Sequence, residues 1–299
     1  MKDVIPPRAT KDAARDRLIG ILLICCAFVC FSMLDATAKW LNQSIPSLQT
    51  TWARYVSNVI LVAAVLNPLT RPGVGRTTRP GLQAARSLLL FASTATNFFA
   101  LHYLQLAQTV SISFATPLLV ALLAKPLLGE AISPHRMVAI VIGFVGVLVV
   151  ARPGLGMHPA ALVSMAGMLC YALYNISTRK LAFYDPPQTT LFYSGLAGVV
   201  ILTPLLTLFW EWPASGWVWV GMGMTGVFGG FGHFLLILAH QRAPAAVLSP
   251  FIYTQLLWMI ALGYVVFGDV PDRYTVLGAL IVVGSGLYLL LRERGGARA

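Results

Sequence analysis

The sequence predicts an all-α integral membrane protein with ten transmembrane helices, arranged as a five-plus-five inverted repeat. Three observations predict this class: an apolar composition, a series of long apolar runs, and an internal repeat. Of the 299 residues, 58% are hydrophobic and only 10% are charged, and the mean hydropathy is +0.77. A soluble domain usually has about 25% charged residues. Because roughly 20 apolar residues cross a bilayer, the chain is long enough for about ten spans joined by short loops.

Ten apolar runs follow one another along the chain. They cover residues 18–41, 48–66, 82–103, 105–128, 136–151, 159–181, 189–209, 215–238, 244–267 and 274–291. Backbone polar groups in hydrocarbon need internal partners, and the runs are continuously apolar, so each is predicted to be a helix rather than a barrel strand. The first run follows basic residues and ends at Ala36, Thr37 and Ala38, as a signal peptide would. Its apolar stretch is longer than a signal core, which predicts a retained helix.

The basic residues predict the orientation. With a cytoplasmic N-terminus, 17 of the 21 Lys and Arg residues lie at cytoplasmic ends of the runs. The remaining four, predicted on the external side, are Lys39, Arg54, Arg152 and Arg273. The positive-inside rule therefore predicts that both termini are cytoplasmic, with residues 1–17 and 293–299 as tails.

The chain repeats itself with an offset of 139 residues. Gln49, Thr50 and Thr51 recur as Gln188, Thr189 and Thr190, and the segment 128–130 corresponds to 267–269. A constant offset across several runs indicates two homologous halves, predicted as residues 18–154 and 155–292. Since five helices is an odd number, the second half enters the membrane from the opposite side, which gives a pseudo-two-fold axis in the membrane plane.

An inverted repeat of this kind permits alternating access around a fixed site near the midplane. Pro117 and Pro250 interrupt the fourth and ninth runs, which are equivalent in the two halves. Each proline removes one helical hydrogen bond, so irregular backbone is predicted beside a substrate site. A simple kink in a packed helix is the alternative.

Polar side chains cluster on the faces of these runs and their neighbours. The candidate substrate-binding residues are Ser32, Asp35, Asn97, Ser113, Thr116, Tyr171, Tyr174, Asn175, His233, Tyr253 and Trp258. On the sixth run, Tyr171, Tyr174 and Asn175 have the i, i+3, i+4 spacing of one helix face. Their rings, with those of the ninth run, are predicted to stack on an amphipathic solute. For the Ser and Thr residues, hydrogen bonds between helices are the alternative.

Ionisable residues inside the runs are candidates for function. Asp35 is the only carboxylate well inside a run, and it is predicted to bind substrate or a proton, or else to form a structural pair. His233 is a candidate proton relay or a hydrogen-bonded structural residue. Arg54 is predicted to pair with a carboxylate or with loop carbonyls rather than with substrate. Few deep cations are evident, which disfavours strongly anionic substrates.

Other classes of function have little support in the sequence. The basic residues form no patch interleaved with aromatic residues, so no nucleic-acid partner is predicted. The four cysteines lie in apolar stretches without a CxxC pair, and no metal or cofactor is predicted. The chain has no HExxH or GxSxG motif, which argues against a catalytic site and an enzyme. A facilitative pore stays an alternative because it needs no coupling residues, and the oligomeric state is left open.

Two equivalent stretches resemble a known family. They are LAQTVSISFATPLLVALLAKPLLGEAISP at residues 106–134 and APAAVLSPFIYTQLLWMIALGYVVFGDVP at residues 243–271. Both resemble the paired signatures of EamA-type transporters of the drug/metabolite transporter superfamily. The resemblance covers nearly the whole chain and implies a bacterial inner-membrane exporter of small metabolites. Within that family the chain is most similar to YddG-type exporters of aromatic and other amino acids. Related branches move purines, nucleoside-like cofactors or cationic drugs, and these stay alternatives.

Overall fold

The computed structural model describes residues 10–66, 72–128, 134–152, 158–181, 184–242 and 249–296, and within them all regular structure is helical. The α-helices are α1 Thr10–Leu41, α2 Ser47–Leu66, α3 Pro80–Tyr103, α4 Leu106–Ser113, α5 Thr116–Leu128, α6 Pro134–Ala151, α7 Ala160–Leu181, α8 Pro187–Phe209, α9 Gly216–Arg242, α10 Thr254–Phe267 and α11 Arg273–Gly296. Two short 3-10 helices cover Pro72–Gly75 and Ser249–Tyr253. The predicted all-α fold is confirmed.

Each predicted apolar run contains described helix. The helix of the first run begins at Thr10, eight residues before the predicted start at residue 18, so part of the predicted tail is helical. By length and composition, four stretches of described helix are long and apolar enough to cross a membrane: Arg15–Leu41, Pro80–Tyr103, Ala160–Thr178 and Gln188–Leu208. Further apolar helical stretches are shorter: Leu106–Val120, Met137–Ala151, Phe251–Phe267 and Arg273–Tyr288.

The helices of the fourth and ninth runs are irregular near their prolines. The fourth run divides into α4 and α5, with Phe114 and Ala115 between them. Pro117 has no N–H to donate to the carbonyl of Ser113, and its ring would clash there, so the helix ends and restarts. In α5 this proline is the second residue, where the missing N–H is not needed. In the ninth run, residues Ser249–Tyr253 form a 3-10 helix before α10 begins. The irregular backbone predicted in both runs is confirmed.

The packing of the helices follows a pseudo-two-fold axis. Helices α1, α2, α3 and α6 of the first half correspond to α7, α8, α9 and α11 of the second. Helix α1 packs on α9, and its counterpart α7 packs on α3. Likewise, α2 packs on α9, and its counterpart α8 packs on α3. The equivalent helices α2 and α8 pack on each other, as do α6 and α11. Each of these contacts thus has its symmetry-related counterpart, as a two-fold relation between the halves requires.

The same reciprocity holds at single residues of α6 and α11. A side-chain carbon placed on Gly143 would lie 2.7 Å from the Ser285 hydroxyl, and one on Gly146 would lie 2.7 Å from Val282. Ser285 and Val282 are the residues that the 139-residue offset pairs with Gly146 and Gly143. The two helices therefore exchange equivalent contacts across the axis.

The axis passes close to the two helix breaks. The ring of Phe114 lies 5.2 Å from the ring of Tyr253, at an interplanar angle of 88°. These two residues are again 139 positions apart, so they occupy equivalent positions in the two halves and contact each other. The irregular segments of both halves thus meet inside the bundle.

The loops at the predicted cytoplasmic end join the two halves through Asp185. Asp185 is buried, and it accepts hydrogen bonds from the side chains of Thr77 and Gln83 and from the backbone N–H of Thr78. Burial opposes ionisation of this carboxyl, but the hydrogen bonds outweigh it and lower the pKa of Asp185 to about 2. The carboxylate therefore stays ionised throughout the physiological pH range.

The loops at the predicted external end join the halves through ion pairs. Lys39 of α1 lies 2.5 Å from Asp269 and also donates to the carbonyl of Leu104 at 3.2 Å. Arg152, which follows α6, forms an ion pair with Asp272 before α11. Polar contacts thus connect the two halves at both ends of the bundle.

Candidate functional site

A polar group lies inside the bundle where α1, α2 and α3 meet. Asn97 of α3 donates its side-chain N–H to Asp35 of α1, at 3.1 Å. Arg54 of α2 donates to the hydroxyl of Thr94 on α3. The charge of Arg54 also acts electrostatically on Asp35. We call Asp35, Asn97, Arg54 and Thr94 the interior polar group.

Two tyrosines of α7 stack on each other, and the charge of Arg54 acts on one of them, Tyr171. The rings of Tyr171 and Tyr174 are 5.5 Å apart and nearly parallel, with an interplanar angle of 18°. Tyr171 is 37% exposed, yet Ser164, Met168 and Tyr174 on the same side of α7 are buried. The exposed surface of Tyr171 therefore faces a space inside the bundle rather than lipid.

Arg86 of α3 holds Tyr174 in place. It is 3% exposed, and its guanidinium donates to the Tyr174 hydroxyl at 2.8 Å while lying 4.6 Å from the centre of that ring. The same guanidinium donates to Thr178 at 2.8 Å, to Ser194 at 2.9 Å and to the carbonyl of Thr190 at 3.1 Å. These contacts join α3 to α7 and α8, and they use most of the donors that an arginine has. Arg86 is thus a positioning residue for the stacked tyrosines.

Arg54 has fewer partners than Arg86. It is 9% exposed, and its hydrogen bond to Thr94 is the one it makes within the described part of the chain. Its guanidinium carbon lies 5.5 Å from the ring centre of Tyr55 and 5.7 Å from that of Phe98. Within the described residues Arg54 forms no hydrogen bond to a carboxylate or to a loop carbonyl, although its charge acts on the carboxylate of Asp35. Its hydrogen-bond partner is a neutral hydroxyl.

The structure adds one deep cation, Arg86, to the Arg54 that the sequence placed inside a run. Arg54 and Arg86 are both buried inside the bundle, although the sequence count placed Arg86 with the cytoplasmic loops. Arginine has a long side chain, so a guanidinium can lie far from its own Cα. The neighbouring helices decide whether that guanidinium points inward or toward water.

Several predicted site residues bind the backbone of their own helix. The Ser32 hydroxyl donates to the carbonyl of Phe28, the Ser113 hydroxyl to that of Thr109, and the Asn175 amide to that of Tyr171. Such bonds reach back one helical turn and leave less capacity for a ligand. Thr116 differs, because its buried hydroxyl has no hydrogen-bond partner in the described residues.

The other three predicted residues lie in different surroundings. His233 packs edge-on against Phe31, with ring centres 5.0 Å apart. Tyr253 packs on Phe114 at the helix breaks. Trp258 is 43% exposed and shares one side of α10 with Val265, which is 78% exposed, whereas Met259 on another side is buried. The structure therefore joins Asp35 to Asn97 and Tyr171 to Tyr174, and it places Trp258 on the outer side of its helix.

The arrangement has the chemistry of a binding site. Asp35 offers a carboxylate for a cation, Arg54 offers hydrogen-bond donors for an anion, and Tyr171 offers a ring face for stacking. A solute that combines a planar ring with charged groups matches all three. Sequence reasoning missed Arg86 because its neighbours in the chain resemble a loop boundary.

Comparisons with known proteins agree with the fold and the class. The model of the EamA-like transporter family matches residues 18–152 and again 158–292. An S-adenosylmethionine uptake transporter of Rickettsia prowazekii is 27% identical over 289 residues, covering 95% of this chain and 96% of the relative. A riboflavin transporter of Brucella anthropi is 25% identical over 284 residues, covering 90% and 97%. A riboflavin transporter of Vibrio cholerae is 24% identical over 289 residues, covering 94% and 96%.

One solved crystal structure has the same fold. It superposes with a TM-score of 0.64 at 18% sequence identity, and the match covers 94% of this chain and 98% of that one. The agreement therefore extends over both halves of the bundle.

Proposed function

This chain belongs to the EamA-like transporter family, and we propose that it moves a charged, ring-bearing cofactor of the S-adenosylmethionine type across the bacterial inner membrane. This proposal replaces aromatic amino acids as the first choice of substrate. The relatives named above are transporters of S-adenosylmethionine and riboflavin, both of which contain a planar heterocycle. The proposal follows one of the alternatives that the sequence left open, a nucleoside-like cofactor.

The exposure of Tyr171, on a side of α7 whose other residues are buried, is the observation that carries the proposal. Tyr174 stacks behind it, and Arg86 fixes Tyr174 from the other side. A planar heterocycle that stacks on Tyr171 would extend this column of rings. Stacked aromatic pairs contribute about 0.5–1.5 kcal/mol beyond the area they bury.

The interior polar group favours a charged cofactor over a neutral one. S-adenosylmethionine has a sulfonium and an ammonium group, which suit Asp35, and a carboxylate, which suits an arginine. Riboflavin is uncharged and would leave these groups without a partner. An aromatic amino acid has both a ring and a zwitterionic end, so it is the second candidate on the same observations.

Alternating access is the mechanism that the symmetry supports. The interior polar group lies between the Lys39–Asp269 pair at one end and the Asp185 hydrogen bonds at the other. If the halves exchange conformations about their axis, one set of contacts opens while the other stays closed. We propose cytoplasmic termini on the distribution of basic residues, and we keep residues 18–154 and 155–292 as the two repeats.

Flux measurements in liposomes test the proposed function. Purified protein should give saturable counterflow of labelled S-adenosylmethionine, with riboflavin and tyrosine as competing solutes. Acceleration of uptake by unlabelled solute on the other side identifies a carrier, since a facilitative pore does not show it. Greater flux of tyrosine than of S-adenosylmethionine would contradict the cofactor proposal. The same vesicles with an imposed pH gradient test proton coupling.

Tyr171→Ala should weaken binding of ring-bearing solutes, because it removes the stacking surface. We expect the half-saturating concentration for S-adenosylmethionine to rise about threefold to tenfold. Trp258→Ala is the control, because Trp258 lies on the outer side of α10, and it should leave this value unchanged. A larger effect of Trp258→Ala than of Tyr171→Ala would show that the ring-binding surface lies on α10.

A further inference from the structure

The two buried arginines of the bundle differ in how fully the protein satisfies them. Arg86 donates to four acceptors on α7 and α8. Arg54 donates to Thr94, and within the described residues its Nε and Nη2 groups have no hydrogen-bond partner. Neither group is among the fully buried polar atoms that lack a partner, so both are accessible to a solute, and a guanidinium with free donors can bind a ligand that is not part of the chain.

Arg54 also lies where several helices meet. Thr94 and Phe98 of α3 contact its guanidinium, and a side-chain carbon on Gly229 of α9 would lie 3.6 Å from its Nε. Its charge acts on Asp35 of α1 and on Tyr171 of α7. Because residue 229 is a glycine, it adds no side chain of its own beside Nε.

In the described part of the chain, the charges around this point do not balance. In the described interior, Arg54 and Arg86 are two cations and Asp35 is one carboxylate, which Asn97 also engages. A second anionic group would offset the remaining positive charge, and a carboxylate matches the planar donors of a guanidinium. The free donors and the charge balance thus point to the same kind of ligand group.

We propose that Arg54 binds the carboxylate of the transported solute and that it selects amino-acid-bearing cofactors over the same ring without a carboxylate. This inference rests on the proposed function and adds the group that distinguishes related solutes. Asp35 then receives the ammonium or sulfonium end, and Tyr171 receives the ring. Arg54 is the specificity-determining residue, and Arg86 holds Tyr174.

The test compares S-adenosylmethionine with its decarboxylated analogue. Half-saturating concentrations for both labelled compounds are measured by counterflow in liposomes that contain wild-type protein, Arg54→Gln or Arg54→Lys. The wild type should prefer the carboxylate-bearing compound about tenfold to hundredfold, as expected for charge-assisted hydrogen bonds to a buried group. Arg54→Gln should abolish this preference by weakening S-adenosylmethionine alone, and Arg54→Lys should restore part of it.

Thr51→Val is the matched control on α2. The Thr51 side chain is fully buried, and its hydroxyl donates to the carbonyl of Ser47 in its own helix. This variant should leave both half-saturating concentrations unchanged. Size-exclusion chromatography in detergent shows whether each variant is folded, and Arg54→Lys keeps the test informative if Arg54→Gln does not fold.

Two results would overturn the assignment of Arg54. One is an equal loss of affinity for both compounds in Arg54→Gln and Arg54→Lys, which a merely structural role would produce. The other is a wild-type protein that does not distinguish the two compounds. Failure of the proposed function looks different, because wild-type vesicles would then take up neither adenosyl compound. In that case the same variants are tested with tyrosine and tyramine, which also differ by one carboxylate. Loss of a preference for tyrosine in Arg54→Gln would then support the role of Arg54.

Discussion

Replacement of Asp35 by asparagine is expected to raise the half-saturating concentration for S-adenosylmethionine about tenfold to hundredfold. The substitution removes a charge from a buried site, where a hydrogen bond or ion pair to a charged group contributes about 1.5–3 kcal/mol. It also leaves the positive charge of Arg54 without its neighbouring carboxylate, so a sulfonium is repelled. Counterflow in liposomes measures the change.

Riboflavin and Ser32→Ala are the controls for Asp35→Asn. Riboflavin is neutral, so any binding of it should change little in the variant. Ser32 is a fully buried residue of α1 that lies one turn before Asp35, and its hydroxyl donates to Phe28 of the same helix. Ser32→Ala should therefore bind S-adenosylmethionine like the wild type. An unchanged affinity in Asp35→Asn would remove Asp35 from the binding site.

Gly278→Val is expected to lower the free energy of unfolding by about 3 kcal/mol, because it forces α6 and α11 apart. A side-chain carbon at Gly278 would lie 2.6 Å from the carbonyl oxygen of Gly146 and 3.0 Å from the backbone nitrogen of Val150. Backbone atoms cannot rotate away as the end of a side chain can. Small residues at such positions let membrane helices approach closely. Thermal unfolding in detergent, followed by size-exclusion chromatography, measures the loss.

Gly284→Val is the matched control on α11. A side-chain carbon at Gly284 would meet no atom within 4 Å. This variant has the same change of residue in the same helix, so it should unfold close to the wild-type temperature. Equal destabilisation by both variants would indicate an effect of helix propensity, and it would contradict the close contact of α6 and α11.

The sequence by itself determined the class of protein, the helices and the symmetry. A continuous apolar run forms a helix in a bilayer, because its backbone N–H and C=O groups have no water there and must hydrogen-bond to each other. The offset of 139 residues predicted which helices are equivalent, and the reciprocal contacts of Gly143 and Gly146 with Ser285 and Val282 agree with it. Pro117 predicted the break in the fourth run because a proline cannot donate a helical hydrogen bond.

The direction of each polar side chain was decided by the tertiary structure. Arg86 lies near a helix end in the sequence, but Tyr174 and Ser194 from two other helices surround it and make it an interior residue. Tyr171 and Trp258 are both aromatic residues of apolar runs, yet one faces an internal space and the other the outer side of α10. In a chain this apolar, both sides of a helix have similar composition, so periodicity does not separate the side that faces protein from the side that faces lipid. Only the packing of one helix on another fixes which polar groups meet, and that packing joined Asp35 to Asn97 and Arg54 to Thr94.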